Sequence, residues 1–562
     1  MHVAQPTRCL TVIAQDPGVT QGGKILRTQV RVPNDVLRPG PEGYRARVID
    51  YDSSTRVLYK PTRFDGKDRY EKASDDQLLS DPGFHAQNVY ALVMSTLSRF
   101  EYALGRRVGW SINGHQLKIV PHAFSGANAF YSERDEALCF GYFPGRKGRM
   151  IYSCLSRDVV THETTHAILD GLRCRYTEPS SPDQAAFHEG FSDVVALLAV
   201  FSNRDVVDAL LPHGKRPDTI PRRGLTAEAL KQSALLGLAD EMGQEMQVAR
   251  GSALRRSVTL PKGDRLHASG YDEPHLRGEV FAAALLSAFV HVWATRVQRL
   301  GVVIPGEVAR ERAVEDGADV AERLLSIVIR AIDYAPPVDL RFGDYLSALL
   351  TGDLELYPDD SRFAFRTIIL KSFAEYGITP SSNEDGAGVW QRFDGRVSMH
   401  ANHFDSLQSN PEEMFRFVWE NQQALCLYPG AYCRVESVRP AMRQGPDGFF
   451  LRETVAEYTE IVTLKGSELS SVRIPKRGGL PASRIRMPKG MHKDQSLTLY
   501  GGGTLIFDEF GQLRYHIKNS LDSHQQTHRL RYLTNIGFFD DGDHAQRIAQ
   551  LHLRRATDGM KI

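Results

Sequence analysis

The chain has 562 residues, enough for two or three domains with ample core. Its 69 basic and 68 acidic residues leave a net charge of +1, so no field draws it toward nucleic acid or a membrane surface. No run of eighteen apolar residues occurs, residues 280–292 being the best candidate, and the first nine residues lack the basic start and apolar core of a secretory signal. Six cysteines, Cys9, Cys139, Cys154, Cys174, Cys426 and Cys433, show no zinc-finger spacing. Reduced thiols in a cytoplasm are expected, or else export by a route that needs no signal peptide.

Residues 10–65 read as short strands, with turns at Arg38-Pro39-Gly40-Pro41 and Tyr51-Asp52-Ser53-Ser54. The alternation Tyr44-Arg45-Ala46-Arg47-Val48-Ile49 suits a half-buried sheet. A helix is predicted over 85–104, with Val89, Leu92, Val93, Leu97 and Phe100 on one side, and strands over 117–120 and 137–143. These make 1–156 a β-rich lobe with one long helix. From 157 to 202 the pattern turns helical and stays mostly so to 376, giving a second lobe over 157–380. The polar stretch Pro380-Ser381-Ser382-Asn383-Glu384-Asp385-Gly386 marks a domain boundary. Beyond it, 381–562 reads as a separate, mostly β domain, with a helix over 411–422 and strands over 432–438, 449–464, 497–500, 504–507 and 513–517. Gly501-Gly502-Gly503 is expected to be a hairpin turn, since no phosphate-binding helix follows it. The fold class is therefore α+β, with an active site where the sheet half meets the helical half.

The most informative residues lie in the first helical stretch, His162-Glu163-Thr164-Thr165-His166. Two histidines four apart share one helix face, so both imidazoles can reach one metal ion, with Glu163 on its open side. Catalytic zinc takes three protein ligands, and two histidines with one glutamate are a known set. Glu189 supplies the third ligand, from a stretch of helical periodicity over 184–201. Asp193 shares its face and is expected to accept the second ring N–H of His162, fixing its tautomer. Apolar flanks at Val159-Val160 and Ala167-Ile168-Leu169 imply a buried helix, where two histidines and a glutamate without a metal would be costly.

From Asp158 to Asp193 the chain resembles the thermolysin-like zinc metallopeptidases, the HExxH-plus-glutamate class called gluzincins, and the likeness extends over roughly 30–380. It implies a two-lobed catalytic unit, one catalytic Zn²⁺, and further site residues. Asn128-Ala129-Phe130-Tyr131 is similar to the family's edge strand, where Asn128 and Ala129 would hold an extended peptide. Asp272-Glu273-Pro274-His275 is similar to the segment carrying the transition-state histidine, with Asp272 orienting His275. Tyr176 would be the second transition-state donor, although one position out of register. Of Arg255 and Arg256, Arg255 is taken as the substrate-binding arginine. The region 321–378 resembles the last helices of the catalytic unit. His188 stands where the family often has asparagine, and is read as lying behind the ligands or facing solvent rather than as a fourth ligand. The family's calcium pair is expected to be lost: Asp158 matches one ligand, but the acidic cluster is missing around Ser202-Asn203-Arg204-Asp205, so Asp158 becomes a helix-start residue.

These residues imply a zinc metalloendopeptidase acting on a peptide or protein substrate, with Glu163 as general base. Three other readings stay open: a metal-dependent hydrolase of another bond, against which the retained Asn128-Ala129 argues, a non-catalytic zinc-binding scaffold or interaction protein, and an effector protease for one target. The region 381–562 could bind a partner; it could also cover the cleft, present substrate, or only stabilise the catalytic unit.

Overall fold

The amino-terminal alternation becomes an antiparallel hairpin, β1 (Thr7–Ile13) against β2 (Arg27–Pro33). The fold is known from a computed structural model that describes residues 7–64, 67–112, 114–145, 148–178, 180–236, 256–360, 363–382, 386–399, 403–445, 448–474 and 483–539. Helices and strands mix in one α+β chain. Next to the hairpin lies a mixed sheet of β3 (Ala46–Val48), β4 (Leu117–Ser125), β5 (Ala129–Ser132), β6 (Ala137–Pro144) and β7 (Met150–Tyr152). Its path is β7-β6-β4-β3, parallel between β3, β4 and β6, while β5 pairs antiparallel with β6. The predicted helix is α1 (Pro82–Leu104). Asp81 caps it by accepting from the Gly83 N–H, Pro82 opens it, and Gly105 closes it at φ 67°, a left-handed conformation that glycine adopts without strain. It packs against both the hairpin and the helices of the second lobe.

The helical region contains α2 (Arg157–Leu172), α3 (Pro182–Phe201), α4 (Pro274–Val297), α5 (Arg310–Arg330), α6 (Phe342–Leu356) and α7 (Phe365–Ala374). By length and composition α4 could cross a bilayer, but most of it is buried against its neighbours, as the central helix of a core is. α3 and α4 approach closely where two glycines face each other: a Cβ on Gly190 would lie 2.7 Å from the Gly278 carbonyl oxygen. Without side chains there, the backbones pack directly, one residue past Glu189 and three past His275.

Beyond 380, helix α8 (Pro411–Glu420) precedes a four-stranded antiparallel meander of β8 (Tyr432–Gln444), β9 (Phe450–Lys465), β10 (Ser496–Asp508) and β11 (Leu513–Asn519). An unpredicted helix, α9 (Ser523–Asn535), follows. The triple glycine is not a turn. It lies inside β10, with Gly501, Gly502 and Gly503 paired to Glu460, Thr459 and Tyr458 of β9. The strand needs glycine because other groups crowd it: a Cβ on Gly502 would lie 2.5 Å from the Tyr458 carbonyl oxygen, and one on Gly501 2.6 Å from the Leu521 nitrogen.

Nor does this region stand apart. It has two small apolar cores of its own, but Ile506, Tyr515 and Ile517 belong to the main core of the molecule. At the boundary, the Ser381 N–H donates to the Gly343 carbonyl at 3.1 Å. Buried charges seal the contact. Asp333 accepts from Arg106 at 2.5 and 2.6 Å and also from Arg443 of β8, which in turn pairs with Glu453 of β9.

Candidate metal centre

α2 and α3 start with clear signals. Asp158 sits in the first turn of α2, where a carboxylate favours the helix dipole, and accepts from the Ser156 hydroxyl at 2.6 Å. Ser181 caps α3 through the Gln184 N–H, with Pro182 in the first turn. Packed together, these helices bring His162, His166 and Glu189 to one point, all buried. The two Nε2 atoms are 2.9 Å apart, and each is 3.7 Å from a Glu189 carboxylate oxygen.

The outer ring nitrogens explain why the inner ones converge. His162 Nδ1 is 2.8 Å from Asp193 Oδ1, which holds the proton there and leaves a lone pair on Nε2. His166 Nδ1 faces His188 Nδ1 at 3.2 Å and the Ser192 hydroxyl at 3.4 Å. His188 stacks parallel on His166 and is buried, so it orients that ring and does not face solvent. Two imidazole nitrogens and a carboxylate, meeting out of water, form a donor set short of positive charge. A divalent ion fits it, as nitrogen and oxygen donors at about 2.0–2.2 Å from zinc would lie close to the separations seen.

Glu163 points to the sheet side, where its Oε2 accepts from the Tyr131 backbone N–H at 3.1 Å. Among the described strands β5 pairs only with β6, so the edge carrying that N–H runs beside Glu163. Ala129 is buried in this strand, and the carbonyl of half-buried Asn128 accepts from the Gly141 N–H at 2.9 Å. A further tie fixes the strand to α2: the Tyr131 hydroxyl donates to Asp170 at 2.9 Å. Burial pushes the Asp170 carboxyl up, against hydrogen bonds from Tyr131 and Ser111, to a pKa of about 6.

His275 lies at the start of α4, its Nε2 3.5 Å from Glu189 Oε2. Its orienting carboxylate is not Asp272 but Glu273, 2.7 Å from His275 Nδ1. Glu273 is the cap of α4, accepting from the Leu276 N–H, and that position turns its side chain back over the first helical turn. Burial raises the Glu273 carboxyl, but hydrogen bonds from His275 and the helix N–H groups outweigh it and hold the group below its usual range. Proline after a cap residue was the signal that could have singled out Glu273.

Tyr176 is not available as a donor to substrate. Its hydroxyl donates to the Pro336 carbonyl at 2.6 Å inside the core, and its ring meets Phe187 edge-on. Arg255 lies outside the described residues. Its neighbour Arg256 donates to Glu279, one turn beyond His275, at 2.6 and 2.9 Å. Compared with known proteins, the chain matches no family model and no curated sequence.

Proposed function

We propose that this chain is a zinc-dependent endopeptidase with a thermolysin-like layout, its cleft lying between the β-rich lobe and the helical lobe. The observation that carries the reading is the convergence of His162, His166 and Glu189, with Glu163 beside them bonded to the edge of β5. Zinc is the ion that two imidazoles and one carboxylate suit when a position is left for water, and when bound it supplies Lewis acidity to that water and to a substrate carbonyl.

The protein groups account for the rest of the chemistry. An extended peptide adds to the outer edge of β5 through main-chain hydrogen bonds, which sets its scissile bond beside Glu163. Glu163 takes the proton of the attacking water and later gives it to the leaving amine. His275 stabilises the developing oxyanion from Nε2. Because Nδ1 already donates to Glu273, Nε2 carries a proton only when the ring is an imidazolium, and the Glu273 carboxylate is placed to support that charge.

The test is cleavage of a mixed peptide library by the wild-type chain and by Glu163→Gln, with metal content measured for both. Expected are one catalytic equivalent of zinc in each, cleavage by wild type that a chelator abolishes, and a loss of about 10²–10⁴-fold in the variant. Undiminished cleavage by Glu163→Gln would refute the assigned base. Metal in both with cleavage in neither would favour a zinc-binding scaffold.

A further inference from the structure

A second group of metal-type donors lies in the β-rich lobe, built from parts that the proposed reaction does not use. His85 comes from α1, His122 from β4, and Cys154 from the single 3₁₀ turn Ser153–Leu155 that leads into α2. Their donor atoms all lie within 4.8 Å of one another, and the three residues are 1%, 4% and 0% exposed.

The protons on the two imidazoles make the case. His85 Nε2 lies 3.2 Å from the Leu79 carbonyl oxygen, which can only accept, so the proton of a neutral ring belongs on Nε2. His122 Nδ1 lies 2.9 and 3.0 Å from the two oxygens of Asp50, which fixes its proton on Nδ1 in the same way. The remaining nitrogens, His85 Nδ1 and His122 Nε2, then both carry lone pairs, and they face each other at 2.8 Å. Two buried lone pairs at that distance repel unless a cation lies between them. Outer nitrogens held by a backbone carbonyl and a carboxylate, with inner nitrogens converging, are the usual supports of metal-bound histidines.

We propose that His85, His122 and Cys154 bind a thiophilic transition-metal ion of the zinc class, separate from the His162–His166–Glu189 site. Binding breaks the Cys154 S–H bond, sends its proton to solvent and forms a sulfur–metal bond, with no change of oxidation state. Charge balances: the thiolate and the Asp50 carboxylate behind His122 offset a 2+ ion. The rings of Tyr59 and Tyr152 meet His122 edge-on at 5.6 and 5.2 Å and wall the site from water. Such an ion would tie α1 to the sheet and to the turn from which α2 starts.

Cobalt(II) titration of the metal-stripped, full-length chain tests this, since only a thiolate ligand gives an intense sulfur-to-cobalt charge-transfer band and the proposed catalytic site has no sulfur. The band is expected to appear in the wild-type chain, to saturate at one equivalent in His162→Ala/His166→Ala, and to vanish in Cys154→Ser. Zinc content is expected to be two per wild-type chain and one in each of those variants. X-ray absorption of zinc-loaded His162→Ala/His166→Ala, which needs no change at Cys154, is expected to find one sulfur and two imidazole nitrogens around the metal. No band at saturating cobalt, a band that survives Cys154→Ser, or zinc without a sulfur neighbour would overturn the proposal. The 2.8 Å contact would then be a proton shared between the rings, held by Asp50.

Discussion

His275 and Tyr176 lead to opposite expectations, although the resemblance read from the sequence implies a transition-state role for both. His275→Ala is expected to lower kcat/KM by about 10²–10³-fold, the usual loss for one oxyanion donor. Tyr176→Phe is expected to keep kcat/KM within a few-fold while destabilising the chain by about 1–3 kcal/mol, because the Pro336 carbonyl loses its buried donor. Steady-state kinetics and denaturant unfolding of the two variants check the pair. Asp170 carries a pH dependence. Its folded pKa of about 6 lies above its ordinary 3.8, so the folded state holds the proton more tightly than the unfolded state does. Stability contributed by that proton is fully present below the ordinary value and is lost as pH rises toward 6, with no further change above. In Asp170→Asn this part of the slope should disappear from unfolding midpoints measured between pH 4 and 7; an unchanged slope would assign it elsewhere.

At the scale of elements, the contact of Gly190 with Gly278 sets how closely α4 approaches α3, and with it the 3.5 Å between His275 and Glu189. Gly190→Ala should force the helices apart, costing about 1–3 kcal/mol through overpacking. Zinc affinity and turnover should fall together, as read by chelator competition and kinetics. The helices themselves were legible in the sequence, since cap residues and apolar periodicity mark α1, α2 and α3 to within a few positions, and the 162–166 spacing gives the ligand face. Helical geometry relates His162 to His166 and Glu189 to Asp193, each pair four apart on its own helix, while the joining of the two pairs rests on the family resemblance. Glu273 could not be read from the resemblance, which points to Asp272, because a cap's direction is a property of the folded turn. The triple glycine misled for a related reason. Glycine marks turns and close backbone approach alike, and only the strands beside β10 decide between them. The same holds for His85, His122 and Cys154, whose separations in sequence carry no spacing signal.

Over the whole molecule, the largest departure from the sequence reading is the seam between the helical lobe and the carboxy-terminal sheet. A polar, punctuated stretch at 380–386 looks like a linker, and nothing local reports that Asp333 meets Arg106 and Arg443 in the interior. Burial raises the Asp333 carboxyl, but the two guanidinium groups outweigh it and hold it below its usual range. With a folded pKa below the unfolded value, its contribution is present above about pH 4 and fades as pH falls further. Asp333→Asn leaves two buried arginines undercompensated, and a loss of about 3–5 kcal/mol is expected, with a flatter acid limb, in denaturant unfolding across pH 2–6.

The chain between α5 and α6 connects this seam to the helix that carries Glu189. The Ala335 carbonyl accepts from Thr504 of β10, and the Val338 and Asp339 carbonyls accept from Asn519 of β11. On the other side, the Leu340 N–H donates to Gln184 and the Phe342 N–H to Asp183, both in the first turn of the helix that carries Glu189. The helix that carries Glu189 is thus braced by a relay that ends in β10 and β11. Ribosomal synthesis delivers β10 and β11 after the elements they support, so the helix carrying Glu189 gains this bracing only once those two strands have docked.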